Sequence, residues 1–290
     1  GSGAGGTHTL SGDVATDTTV SGDVELTATA TVLSGVKLTV APGTTLHGAP
    51  GASLVVAGEL DAIGTATGPI VFQSAADAGP GGWSGIVVDT GGEARLTHAE
   101  IREAVMAFST KPSSSYALDY VTCDTSNQLM ALASDGTVSH STFHAFGMNQ
   151  QGDPVTISSA SPHVSDSTFD NANQYADHIA VSGSASSPQF DHLELSQAHC
   201  GFHFNQGIGI TVSNSYMHDL AFAMMVEASL QTKVTLSNAE NNQNNFGRCM
   251  GGDVTLSSDY VEGPPFDTYC TGQMDDTPAN APLSGVGPRP

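Results

Sequence analysis

The sequence predicts an all-β chain: a right-handed, single-stranded parallel β-helix, a solenoid of roughly 10–11 rungs. Three observations carry this. A six-residue pattern of apolar and small polar residues recurs along the chain at steps of 20–26 residues. Between its copies lie second apolar patches that alternate with period two, the period of a strand. The composition also suits exposed strands and tight turns: 33 Gly, 32 Ser and 29 Thr in 290 residues, with 12% charged.

The pattern reads Leu96-Thr97-His98-Ala99-Glu100-Ile101, then Leu118 to Cys123, Val138 to Phe143, Val164 to Phe169, Phe190 to Leu195 and Val212 to Met217. Leu236 to Asn241 and Leu256 to Val261 continue it. Each copy is followed by a patch such as Leu129-Met130-Ala131-Leu132 or Phe202-His203-Phe204. Two or three short strands per repeat, joined by turns, make one rung. The expected organisation is a cap or first rung over 1–32, the β-helix over 33–272, and a disordered Pro-rich tail over 273–290.

Composition excludes several classes. Seven Lys and Arg against 29 Asp and Glu give a net charge of −22, so no basic face for nucleic acid is available. No apolar run approaches the roughly 20 residues of a membrane helix. Lys and Glu are too scarce for a helical bundle. The four cysteines form no Cys-x-x-Cys pair, which argues against a zinc knuckle.

The N-terminal third adds a more specific signal. It runs Val36-Lys37-Leu38-Thr39-Val40-Ala41-Pro42-Gly43, then Leu54-Val55-Val56-Ala57-Gly58-Glu59-Leu60, Pro69-Ile70-Val71-Phe72-Gln73-Ser74 and Gly82-Trp83-Ser84-Gly85-Ile86. This resembles the entry module of secreted bacterial right-handed parallel β-helix proteins, the pectin-lyase-like superfamily. The resemblance covers about residues 33–88 and implies the fold. That superfamily holds lyases, hydrolases, adhesins and binding proteins, so activity has to come from the site. Together with the composition it points to a secreted, periplasmic or cell-surface protein.

Stacked rungs lie about 4.8 Å apart, so equivalent positions form ladders. In the second patch Met106, Met130, Met148, Ile179, Phe202, Met224 and Arg248 are expected to point inward. The next residues, Ala107, Ala131, Asn149, Ala180, His203, Met225 and Cys249, then point outward. Cys270 falls in or beside this column, and His199 and Cys200 sit at the turn entering it. Two readings stay open. His203, Met225, Cys249, Cys270, His199 and Cys200 are donors for copper or zinc; equally, Cys249 and Cys270, or either with Cys200, are spaced for a disulfide. Cys123 is expected to be a buried thiol among Ile101, Phe143, Phe169 and Leu195.

His98, His140 and His192 share a turn column with Tyr120, Asp166, Asn214, Asn238 and Ser258, which reads as turn chemistry. A hydroxyl ladder over Thr137, Ser139, Thr211, Ser213, Thr235, Ser237, Thr255 and Ser257 suits exposed strands. The resemblance implies that a lyase would need Lys or Arg beside calcium-holding carboxylates, and only Arg248 lies in a central second patch. A hydrolase of that superfamily would show clustered aspartates and a Gly-His-Gly-like motif, and none is present. Asp177, His178, Asp219 and Glu227, with His199 and His218, are the one local concentration of acids and bases.

The leading expectation is therefore a non-catalytic surface or binding protein for a carbohydrate or cell-surface partner. The alternatives are a copper or zinc protein using the His/Met/Cys column, and a polysaccharide lyase or hydrolase, with calcium in the lyase case.

Overall fold

A computed structural model describes residues 8–145, 152–172, 174–247, 251–266, 272–275 and 277–290. Among the described residues there is no helix, strand makes up 57%, and the parallel sheet forms a β-solenoid of about 11 turns. The chain divides into two units, Gly1–Thr137 and Val138–Pro290.

In the first unit His8–Val14 pairs in parallel with Asp23–Val32. Three stacks of inward side chains follow. One runs Leu38, Leu60, Ala94, Tyr116. A second runs Leu46, Phe72, Ile101, Cys123. The third runs Leu54, Ile86, Phe108, Met130. These residues are almost wholly buried, as period-two alternation demands. Burial pushes the Cys123 thiol far up, so it is an inert core thiol. Met106 departs from the expected column. Phe108 takes the place beside Met130, Met106 pairs with Gln128, and Ala107 is buried.

In the second unit the stacks are Val164, Phe190, Val212, Val234, Leu256; Phe143, Phe169, Leu195, Met217, Ala239; and Ile179, Phe202, Met224, Phe246. Phe143 and Phe169 stack with ring centroids 4.7 Å apart. Phe246, not Arg248, continues the third stack; Arg248, Met148 and Asn149 lie outside the described residues.

The recurrent six-residue pattern has a physical basis in its bend. Its third residue is left-handed at His98, Tyr120, His140, Asp166, His192, Asn214 and Ser258, with φ between 46 and 57°, and in the remaining copy the left-handed residue is Leu236, with φ of 51°. The fourth residue turns inward, and where it is Ser it closes a ladder. Ser141 N–H donates to Ser167 Oγ, Leu193 N–H to Ser215 Oγ and Ser215 N–H to Ser237 Oγ, each at 3.1 Å. Ser237 N–H donates to Asp259 Oδ1 at 2.7 Å. The hydroxyls of Ser167, Ser215 and Ser237 donate to the carbonyl two residues back. Buried backbone groups are thus satisfied without water. The left-handed residue of the next-to-last bend is Leu236, not Asn238. Val234 pairs with Val212, so this rung starts two residues earlier than its sequence pattern suggests. The hydroxyl ladder shifts accordingly: Ser213, Thr235 and Ser257 are neighbours, and Lys233 stands between Thr211 and Thr255.

The Pro-rich end, expected to be disordered, instead docks along this turn column. Ala279 N–H donates to Asp259 O, and Gly287 N–H to Asn214 O. Leu283 and Asn238 exchange two hydrogen bonds. Arg289 grips Asp166 through Nε at 2.6 Å and Nη2 at 2.9 Å. A segment poor in apolar residues builds no core, but its backbone still pairs with polar turn groups, and Asp166, Asn238 and Asp259 are buried. Arg289 holds the Asp166 carboxyl below the usual carboxylate range, against the effect of burial. A lowered folded value means docking is complete above the ordinary carboxylate pKa and fails as pH falls through the lower, docked value. Amide exchange at Ala279, Leu283 and Gly287, corrected for intrinsic rates, is expected to stay slow from neutrality to about pH 5 and to quicken only in stronger acid. Arg289→Ala is expected to quicken it at neutral pH. Unchanged protection in that variant would contradict this account.

Candidate functional site

Four consecutive strands of the second unit build the site: Asp177–Ser182, Cys200–Ile208, Phe222–Leu230 and Asn244–Gly247. Their register sets Asp177, Cys200, Phe222 and Asn244 in one row. Ala180, His203, Met225 and Gly247 form another row; this column is expected from the sequence to face outward, but Ala180, Met225 and Gly247 are buried in it and His203 is part-exposed. His203 and Met225 are therefore neighbours, as the sequence predicts. The place beside Met225 belongs to Gly247; Cys249 and Cys270 lie outside the described residues.

Asp177 is the hub of a cluster. Its Oδ1 bonds His199 Nδ1 at 2.9 Å, and its Oδ2 bonds His203 Nδ1 at 2.6 Å. Its own N–H donates to Asp153 Oδ1 at 3.1 Å. Cys200 Sγ lies 3.4 Å from His199 Nδ1. Burial opposes ionisation of Asp177, but hydrogen bonds from His203, His199 and Cys200 outweigh it and hold the carboxyl below its ordinary range. Burial likewise opposes charge on His203, and the Asp177 carboxylate prevails and raises its pKa. Asp153 is raised, chiefly by burial. On its far side His203 Nε2 stands 3.5 Å from Glu227 Oε1. It is buried there without a hydrogen-bond partner.

His178 does not join this cluster. It points into the core, where its Nε2 bonds Ser196 O at 2.7 Å. Burial lowers its pKa to about 4, so it is neutral at physiological pH and does not face solvent as a catalyst must.

Beside the cluster lies a cleft of about 710 Å³. Its lining includes Gln174, Tyr175, Gln197, His199, Asp219, Phe222, Asn241 and Gln243. Gln197, Asp219 and Asn241 are successive left-handed turn residues, with φ of 60, 55 and 51°. Each follows an inward residue by two: Leu195, Met217 and Ala239. One polar side chain per rung is thus delivered to the cleft. Tyr175 is 82% exposed. His199 meets Phe222 edge-on, with ring centroids 5.6 Å apart, so one imidazole both bonds Asp177 and lines the cleft.

Asp219 lines the cleft but is engaged. Its Oδ2 bonds His218 Nδ1 at 2.7 Å, and Asn241 donates to its Oδ1. The His218 and Asn241 bonds keep it ionised, below its usual pKa. His218 in turn bonds Glu194 Oε1 at 3.2 Å and stacks on Tyr216; Glu194 raises its pKa.

The structure therefore joins Asp177, His199, Cys200, His203 and Glu227 in one cluster and places Met225 beside it. It puts Asp219 at the cleft and His178 in the core. Sequence reading misses Tyr175, Gln197, Phe222 and Gln243, which are neither acids, bases nor metal donors. The recurrence of a polar residue two places after each inward residue is the signal that finds Gln197. Comparison with protein-family models, curated protein sequences and solved structures finds no match to this chain.

Proposed function

We propose that the protein is a non-catalytic binding protein that holds a neutral oligosaccharide in the cleft of its second unit. The exposed Tyr175 ring beside a row of amides carries this reading. The ring is largely exposed, and an aromatic ring at a cleft is a platform for the apolar face of a sugar ring. Gln174, Gln197, Asn241 and Gln243 each offer both donor and acceptor, the complement of a sugar hydroxyl. Asp219 adds an ionised acceptor. The net charge of −22 disfavours acidic polymers. Glycoside hydrolysis uses two carboxyl groups across the bond, one of them protonated. Among the described residues lining the cleft, Asp219 is the one carboxylate, and its pKa is lowered rather than raised. In this reading the protein acts outside the cytoplasm, as the resemblance to pectin-lyase-like β-helices also implies.

The test is calorimetric titration with a panel of neutral and acidic oligosaccharides. Neutral chains are expected to bind at sub-millimolar Kd. Tyr175→Ala and Gln197→Ala are each expected to weaken binding about tenfold, ~1.4 kcal/mol. Release of reducing ends would transfer the site to the hydrolases. Failure of the whole neutral panel, or full binding by Tyr175→Ala, would refute the reading.

A further inference from the structure

We propose that His203 Nε2 and Glu227 Oε1 are protein ligands of one divalent first-row transition ion, with zinc the best fit, and that Asp177 positions the imidazole. This stands independently of the sugar reading, because neither His203 nor Glu227 is among the residues that line the cleft.

Nε2 is a buried polar atom without a hydrogen-bond partner, a condition that folded proteins rarely leave uncompensated. The Glu227 carboxylate oxygen stands 3.5 Å away, and it makes no hydrogen bond to Nε2. That spacing is nevertheless the bite of a small cation: two donors about 2.0–2.2 Å from zinc at the tetrahedral angle lie about 3.4 Å apart. The other ring nitrogen is held by Asp177 Oδ2 at 2.6 Å. A carboxylate on Nδ1 fixes the proton there and turns the Nε2 lone pair outward, the arrangement found behind metal-bound histidines.

Charge points the same way. Among the described residues Glu227 pairs only with His203, and Asp153 and Asp177 add two more carboxylates to the cluster. Imidazole with carboxylate selects zinc rather than copper(I), which favours sulfur. Met225 is the neighbour of His203, but a thioether is a poor zinc donor. The competing set is Asp177, His199 and Cys200, whose donor atoms lie within 4.8 Å of one another. Those atoms already bond one another, so an ion there would have to break bonds the structure has made. At His203 and Glu227 no hydrogen bond is broken; the ion takes the place of the ion pair at 3.5 Å, and water completes the coordination.

The full chain, stripped with chelator and dialysed, would be titrated with zinc by calorimetry, with elemental analysis of the product. One equivalent is expected. Glu227→Gln and His203→Gln are each expected to weaken binding at least about 100-fold, and Asp177→Asn by about 10–100-fold. Cys200→Ser is expected to bind as wild type. Far-UV circular dichroism verifies the fold of each, and Glu227→Gln, on a half-exposed side chain, keeps the test decisive if His203→Gln fails to fold. No retained zinc in the wild type would overturn the proposal. So would loss in Cys200→Ser with Glu227→Gln unaffected, which assigns the ion to the competing set, or equal binding by all variants.

Discussion

Gly85→Ala is expected to cost the first unit at least about 3 kcal/mol. Gly85 has φ of 104°, and a Cβ there would lie 1.7 Å from the Met106 carbonyl oxygen. That oxygen belongs to the adjacent strand Met106–Thr110, so relief requires the strands to part. Gly91→Ala is the control: φ is 79° but nothing lies within 4 Å, and only backbone strain of about 1 kcal/mol is expected. Trp83, the chain's one tryptophan, is buried two residues away, with its indole N–H on Arg102 O at 2.8 Å. Its fluorescence during urea unfolding reports this neighbourhood directly. Equal midpoints for the two variants would refute the close approach.

Asp177→Ala is expected to cause a local loss of about 3–5 kcal/mol. One carboxylate there serves His199, His203 and Cys200, and its removal leaves their donors buried without an acceptor. Asp177→Asn keeps one acceptor oxygen and is expected to lose less. Hydrogen exchange should show the loss in Asp177–Ser182 and Cys200–Ile208, the strands the carboxylate ties together. Wild-type protection in Asp177→Ala would show that the hub is not what holds the strands.

The fold is legible in the sequence because the solenoid repeats its physics. Every rung needs an inward apolar residue, a left-handed bend and a small buried residue after it, so the pattern at Val138, Val164 and Val212 reads directly. The reading slips where chemistry and position part company. Leu236, an apolar residue, occupies the left-handed bend, and the polar run Asn241 to Asn245 offers no apolar anchor before Phe246. Sequence alone therefore sets the rung two residues late and carries Arg248 and Cys249 into columns that Phe246 and Gly247 occupy. The site is half legible. His199, Cys200, His203, Asp177 and Glu227 stand out by type, but their union around one carboxylate depends on side-chain directions at a turn. The cleft is less legible still, because Tyr175 and the glutamines are ordinary surface residues until the turns align them. The docked end is invisible to composition, since backbone hydrogen bonds and one arginine hold it.

The most direct measurement is amide exchange of the full chain with and without a saturating neutral oligosaccharide. Protection is predicted to rise in three stretches together, around Tyr175, from Gln197 to His199 and from Asp219 to Phe222, with the first unit unchanged. Protection confined to other rungs, or none at saturation, would contradict the cleft as the binding site.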